Sequence, residues 1–327
     1  MQAQTQLKLS HRDIRAEGFG FPVTRRSPHR STLEVSVVGA GTMGSAMAAR
    51  LLRQRMHIAV WSRHPESTGN LVERGANAFA DVTEAVATAD IVITMLPNAE
   101  ATRAVMLRAG GLERLRPHAT WAQMGTIGVA ETEQLEVDVR RLRPDVTFVD
   151  APVSGSRVPA EDGKLLILAS GPATAEATLQ PVFSALGRST LWLGPVGAGS
   201  RMKLVLNTWL AFQTESAAET AALAETFGLS KVDLVRALKG NPLASDYALA
   251  QLDRMLEHDY HADFALDLAL KDLDLVTSEA SGAAPIAGNI AARWRGLVQE
   301  GWSGLDVSAA RIGLGPGSDR DGGGSER

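Results

Sequence analysis

The chain has 327 residues and a formal charge of −4, long enough for two domains, or one large one, with a well-buried core, and not basic enough to point to nucleic-acid binding. It contains no cysteine, which excludes disulfides, thiolate catalysis and cysteine zinc sites. No apolar stretch reaches the length of a membrane span, since the longest, around residues 35–52, is broken by glycine and arginine; nothing marks export, and a cytoplasmic protein is expected.

Residues 1–32 carry Arg12, Arg15, Arg25, Arg26 and Arg30 without the apolar core of a signal peptide. Asp13 and Glu17 interrupt the basic pattern of an organelle presequence, so a mobile N-terminal extension is expected. Residues 35–53 then read VSVVGAGTMGSAMAARLLR, an apolar run, a glycine turn and a helical pattern. Gly39 makes a tight turn, Gly41 lets the backbone approach a pyrophosphate, and Gly44 allows close helix-on-strand packing. Thr42 and Met43 complete a turn whose free N–H groups and helix dipole favour phosphate. A purely structural glycine turn would use the same residues.

The next apolar run, residues 57–61, ends at Ser62, Arg63 and His64, where an NAD site places a carboxylate for the ribose hydroxyls. An arginine there can pair with a 2′-phosphate, which favours NADPH over NADH, although a solvated basic turn would leave that choice open. Asp81 can cap a helix over 83–89, and Asn98 one over 99–107. Between them, residues 91–96 form a short run bounded by Pro97 that reads as a buried parallel strand. Further strands are expected at 120–123, 147–150, 165–169 and 190–193, with an exposed helix at 130–141. The alternation argues for an α/β unit covered on both faces.

Composition changes at residues 194–199, GPVGAG, and no convincing strand follows. Residues 201–227 lack proline and glycine, and at about 1.5 Å per residue a helix there spans about 40 Å, enough to wall two domains apart. Helices are expected at 231–239, 248–256, 264–280, 286–300 and 305–312. The fold class is therefore an α/β Rossmann domain (33–195) followed by an all-α domain (196–313), joined by a long interdomain helix. The glycine-rich, charged residues 314–327 read as a disordered tail.

The chain has six lysines against 27 arginines, so each lysine asks for a reason. Lys203 sits just after the glycines, with Asn207 four positions on and hence on the same helix face. A lysine there can protonate a substrate oxygen as hydride arrives, with Asn207 holding that oxygen or orienting the amine. Two polar residues on an exposed or interdomain face fit the same spacing. Asp150, Ser154, Gly155 and Ser156 follow a predicted strand and can present hydroxyls and N–H groups to a carboxylate, or simply make a turn. Lys271 and Phe264 lie in a later helical cluster, where Asp267 and Lys271 have i,i+4 spacing and Phe264 suits a core. The histidines are scattered and no metal site is expected. Neither Tyr247 nor Tyr260 has a Tyr-x-x-x-Lys setting.

Four separated motifs in order make the chain resemble the β-hydroxyacid dehydrogenases, a family that includes 3-hydroxyisobutyrate dehydrogenase. They are the fingerprint at 39–44, Met95-Leu96-Pro97, the loop at 150–155, and the segment from Gly199 to Asn207. The continuation SRVPAEDGKLLILASG is similar to the glyoxylate/succinic semialdehyde reductase branch. The resemblance implies Lys203 as the catalytic lysine, Asn207, Ser154 and Gly155 as substrate-binding, and Lys271, beside Asp272, enclosing substrate and cofactor. It also implies cofactor contacts from Gly39, Gly41, Thr42, Met43, Gly44, Ser62, Arg63, Met95, Leu96, Pro97, Thr126, Phe264 and Lys271.

One motif departs from the family pattern. Where relatives have Asp-x-Ser-Thr, residues 123–126 read Gln-Met-Gly-Thr, so a serine hydroxyl is missing and a bulkier or less acidic substrate is expected. Trp121 and Trp209 are expected in the core. The function implied is NADP(H)-dependent interconversion of a small hydroxy acid and its semialdehyde or keto acid, by a homodimer or homotetramer. An imine reductase and a non-catalytic NADP-binding protein are the alternatives, the first disfavoured because imine reductases generally carry aspartate or tyrosine in place of the lysine.

Overall fold

The computed structural model describes residues 33–280 and 282–315; the expected mobile extension at 1–32 and all but the first two residues of the expected tail lie outside the described residues. Six parallel strands form one sheet in the order β3-β2-β1-β4-β5-β6: β1 Glu34–Val38, β2 His57–Trp61, β3 Asn77–Phe79, β4 Ile91–Thr94, β5 Thr120–Gln123 and β6 Thr147–Asp150. The central strands β1 and β4 are rich in valine and isoleucine, and together with β5 they are almost wholly buried, as a parallel sheet covered on both faces requires. Its connections run through α1 Thr42–Arg53, α2 Gly69–Glu73, α3 Val82–Val86, α4 Ala99–Arg103, α5 Gly111–Arg114 and α6 Val129–Leu142. Asp81 and Asn98 cap α3 and α4, each accepting a main-chain N–H at 2.8 Å.

Two expected strands do not join this sheet. β7 Val153–Ser154, β8 Leu165–Ala169 and β9 Gly187–Trp192 form a second, three-stranded sheet, interleaved with α7 Arg157–Asp162 and α8 Ala175–Leu186. β7 runs antiparallel and β9 parallel to β8. The two-residue β7 and the exposed three-residue β3 are too short for a periodic signal.

The second half is helical: α9 Ala198–Thr226, α10 Lys231–Leu238, α11 Asp246–Leu256, α12 Leu266–Glu279 and α13 Pro285–Leu297. α9 has 29 residues. Its core face is built of alanines, Ala211, Ala217, Ala218 and Ala221, which let Leu252, Leu273, Ile290 and Trp294 of the neighbouring helices pack close. Residues 307–311 form a 3₁₀ turn instead of the expected helix, and α12 starts at Leu266, leaving Phe264 before it. Trp121 is fully buried, but Trp209 is 61% exposed, because it lies on the side of α9 turned away from the helical core. Among the described residues no helix is long and apolar enough to cross a membrane.

The joint between sheet and helix is polar. Asp150, at the end of β6, exchanges main-chain hydrogen bonds with Ser170 (3.0 and 2.7 Å) and turns its carboxylate onto the start of α9. There it accepts from Ser200 N (2.8 Å), Gly197 N (3.2 Å), Ser200 Oγ (2.8 Å) and Ser170 Oγ (3.0 Å). Burial pushes the carboxyl pKa up, against the pull of these donors. Gly199 is required by the close approach, since a Cβ there would stand 2.2 Å from Leu168 O. Asp150→Ala should therefore lower the unfolding free energy by about 3 kcal/mol in urea titration, because two buried N–H groups lose their acceptor. A loss under about 1 kcal/mol would show that the cap does not hold the joint.

Candidate active site

The glycine turn between β1 and α1 has the geometry of a phosphate cradle. Gly39 has φ +105°, and a Cβ there would meet Met95 O at 2.4 Å. Gly44 lets α1 lie against the turn, where a Cβ would fall 1.8 Å from Gly39 O. At Gly41 the situation reverses, with nothing within 4 Å of the added atom. Gly41 is the N-cap of α1 and brings no side-chain acceptor, so the N–H groups of Thr42, Met43 and Gly44 begin the helix with that open space before them. These residues fit a dinucleotide pyrophosphate.

At the end of β2, Arg63 is exposed and Ser62 is half-buried. Ser62 Oγ accepts from His64 N (3.3 Å) and lies 2.9 Å from Ser67 Oγ, so part of its capacity is spent within the turn. No carboxylate stands at 62–64, which suits a phosphorylated ribose better than a free diol. Met95, Leu96 and Pro97 leave β4 beside the glycine turn, Met95 N donating to Val38 O (2.9 Å).

A second group gathers on α9 and α12. Lys203 is half-buried, one turn from the buried Asn207. Desolvation lowers the Lys203 pKa to about 8; Asp272 acts to raise it and Lys271 to lower it. Asp272 is 3% exposed and joins the set: its Oδ2 accepts from Asn207 Nδ2, and its Oδ1 lies 2.7 Å from Lys271 Nζ. Lys271 Nζ also donates to Thr126 O, which brings the Rossmann sheet into the same network. The partner of Lys271 is thus its neighbour Asp272, while Asp267 turns its carboxylate to the main-chain N–H of Leu268 (2.7 Å).

The atypical loop after β5 is closed from within. Gln123 is fully buried and bonds both main-chain groups of Gly125, Nε2 donating to its carbonyl (2.6 Å) and Oε1 accepting from its N–H (3.1 Å). A Cβ at Gly125 would sit 2.5 Å from Leu96 O. The missing serine has therefore not opened a hole, and the expectation of a bulkier substrate finds no room at this position. Further along, Gly128 has φ +96° and Glu279 of α12 accepts from Val129 N (3.0 Å), a second contact between α12 and this loop.

Ser154 and Gly155 sit on a separate element, β7 and the turn after it. Ser154 pairs with Leu166 across the small sheet, and Gly155 has φ +131° with Leu165 Cδ2 2.9 Å from an added Cβ. Ser156 is the N-cap of α7. Phe264 packs against the helical core and its N–H donates to Asp306 Oδ2 (3.0 Å). Asp150, read with this loop in the sequence, faces α9. The bond from Asn207 to Asp272 and the contact of Glu279 with Val129 escaped sequence reasoning, since they join residues 65 and 150 positions apart.

The chain is similar to known proteins along both halves. Residues 34–194 match the family described as the NAD binding domain of 6-phosphogluconate dehydrogenase, and residues 197–311 the family described as NAD-binding of NADP-dependent 3-hydroxyisobutyrate dehydrogenase. The chain is 31% identical to glyoxylate/succinic semialdehyde reductase 1 of Arabidopsis thaliana, over 85% of this chain and 96% of that protein. It is 30% identical to 3-sulfolactaldehyde reductase of Escherichia coli (strain K12), over 83% of this chain and 94% of that one. The crystal structure of 3-hydroxyisobutyrate dehydrogenase from Salmonella typhimurium superposes with a TM-score of 0.78 at 26% identity, covering 85% and 99% of the two chains. With its phosphate cradle, its lysine-bearing helix and both halves matched in order, the chain belongs to the 3-hydroxyisobutyrate dehydrogenase-like family of NAD(P)-dependent dehydrogenases and reductases.

Proposed function

We propose that the protein reduces a short aldehyde or keto acid with NADPH, and oxidises the corresponding hydroxy acid in reverse, with Lys203 as the proton donor and acceptor. The observation that carries this is the half-buried Lys203 amine with its pKa lowered to about 8, next to Asn207 and Asp272 on the wall of the helical half. When bound, the nicotinamide supplies or takes up the hydride. Lys203 gives its proton to the substrate oxygen, and its positive charge offsets the negative charge growing there. Asn207, held by Asp272, is set one helical turn away to hold the same oxygen. Ser154 and Gly155 receive the acid end of the substrate, and Lys271 closes the site over the 126–128 loop.

The two named reductases act on short aldehydes with an anionic group at the other end, which supports the same substrate class here. Arg63, with no carboxylate beside it, supports NADPH over NADH. Thr42, Met43 and the three glycines hold the pyrophosphate, Met95, Leu96, Pro97 and Thr126 line the nicotinamide side, and Ser62 contacts the ribose phosphate. Phe264, just before α12, adds a cofactor contact. Val205, Trp209, Leu223 and Phe227 leave an exposed apolar stripe on α9 that supports a homodimer or homotetramer. A screen of NADPH oxidation over glyoxylate, succinic semialdehyde, methylmalonate semialdehyde, sulfolactaldehyde and cyclic imines, repeated with NADH, tests the whole reading. Turnover confined to imines, or absent throughout, would sink it.

Four further outcomes are expected. Reduction needs the Lys203 ammonium, so its kcat/KM falls as pH rises through about 8, whereas oxidation needs the free amine and rises through the same pH. Lys203→Ala should lower kcat by roughly 10²–10⁴-fold, with the NADPH dissociation constant almost unchanged in fluorescence titration; retained turnover would remove the proton donor from the mechanism. Arg63→Ala should raise KM for NADPH roughly tenfold and leave KM for NADH alone. Gly125→Ser should destabilise the fold by about 1–3 kcal/mol through overpacking against Leu96, and a variant that keeps its urea midpoint and gains substrate affinity would contradict the closed geometry of the loop.

A further inference from the structure

The side chain of Gln123 connects the interior of the Rossmann sheet to the lysine pair. Trp121 Nε1 donates to Thr94 Oγ1 (2.9 Å), so the threonine hydroxyl turns its hydrogen to Gln123 Oε1 (3.1 Å). That oxygen also accepts Gly125 N–H, and Gln123 Nε2 donates to Gly125 O, so the orientation of the amide is fixed by donors on one side and an acceptor on the other. With both main-chain groups of Gly125 held, the next carbonyl, Thr126 O, faces α12 and takes the Lys271 ammonium. Lys271 in turn lies 2.7 Å from Asp272 Oδ1, whose other oxygen holds Asn207, one turn from Lys203.

We propose that Gln123 is a positioning residue for the proton transfer: its buried amide sets where Thr126 O stands, and through it where the Lys271 ammonium stands relative to Lys203. This rests on Lys203 being the proton donor. The charges that α12 turns to Lys203 are Asp272, which favours its protonated form, and Lys271, which disfavours it. At the start of α9 the charges are already engaged, Arg201 with Glu133 of α6 and Asp150 with the helix N–H groups. Lys271 is therefore the adjustable charge, and the carbonyl that tethers it is held in place by a residue that never touches substrate. A serine-bearing loop would lack this amide bridge; here the glutamine takes the place of the family's aspartate and Gly125 that of its serine.

The test compares pH profiles of NADPH-dependent reduction for the full chain and for Gln123→Met, Gln123→Asn, Lys271→Met and the Gln123→Met/Lys271→Met double variant. Removing the Lys271 ammonium lifts the Lys203 pKa, so the fall in rate at high pH should move up by roughly half a unit or more in Lys271→Met, and the freed ammonium of Gln123→Met should shift it away from that of the unaltered protein. The double variant should move no further than Lys271→Met alone. Gln123→Asn, one methylene short of Gly125, should behave as Gln123→Met does and carries the comparison if the methionine variant does not fold. Amide hydrogen exchange at Gly125 in the unaltered protein, expected to be slow, decides the matter if neither folds. A folded Gln123 variant with an unshifted profile, shifts that add in the double variant, or fast exchange at Gly125 would overturn the proposal. Those outcomes differ from failure of the proton-donor reading itself, which would show as turnover surviving in Lys203→Ala.

Discussion

A buried carboxylate ties the end of the large sheet to the start of the helical half. Asp150 ends the last strand of the large sheet and caps the first turn of the 29-residue α9 through two main-chain N–H groups and the Ser200 hydroxyl. The same group ties in the second sheet through Ser170. A helix N-terminus is a natural partner for a carboxylate, because its first N–H groups have no partner within the helix and its dipole is positive there. Lys203 lies one turn into that helix, so the position of the amine relative to the strand ends follows from how firmly the cap is seated.

The electrostatics at Lys203 are a balance of three influences. Burial works against the ammonium and is the largest of them, Asp272 works for it, and Lys271 works against it. The outcome, a pKa near 8, leaves both protonation states populated near neutral to mildly alkaline pH, which a group that must give a proton in one direction and take it in the other requires. Asp272 serves twice, as countercharge to Lys271 and as the acceptor that fixes Asn207. Because Lys271 also reaches Thr126 O, the same few atoms set the charge around Lys203 and join α12 to the sheet.

The loop at 123–128 is closed although it departs from the family pattern. Loss of a serine from a binding loop ordinarily means a lost donor and a larger cavity. Here Leu96 O occupies the space beside Gly125 that a side chain would need. Gln123 holds that arrangement from below, and Gly128, with positive φ, lets the chain enter α6 under Glu279.

The linear pattern was sufficient for whatever depends on neighbours close in the chain. The valine-rich β1, the three glycines, the caps at Asp81 and Asn98, and the stretch 201–227 without proline or glycine are local signals, and each appears in the structure where its chemistry puts it. Helical spacing alone places Lys203 and Asn207 on one face. The short strands β3 and β7, the separate sheet built by β7, β8 and β9, the exposed side of Trp209 and the cap made by Asp150 were decided only by tertiary packing. So were the meeting of Asn207 with Asp272, of Lys271 with Thr126 O and of Glu279 with Val129, contacts that span from 65 to 150 residues. The physical reason is that a hydrogen bond or ion pair between distant residues leaves no periodicity in either segment, and the burial that lowers the Lys203 pKa exists only once two helices have closed over it.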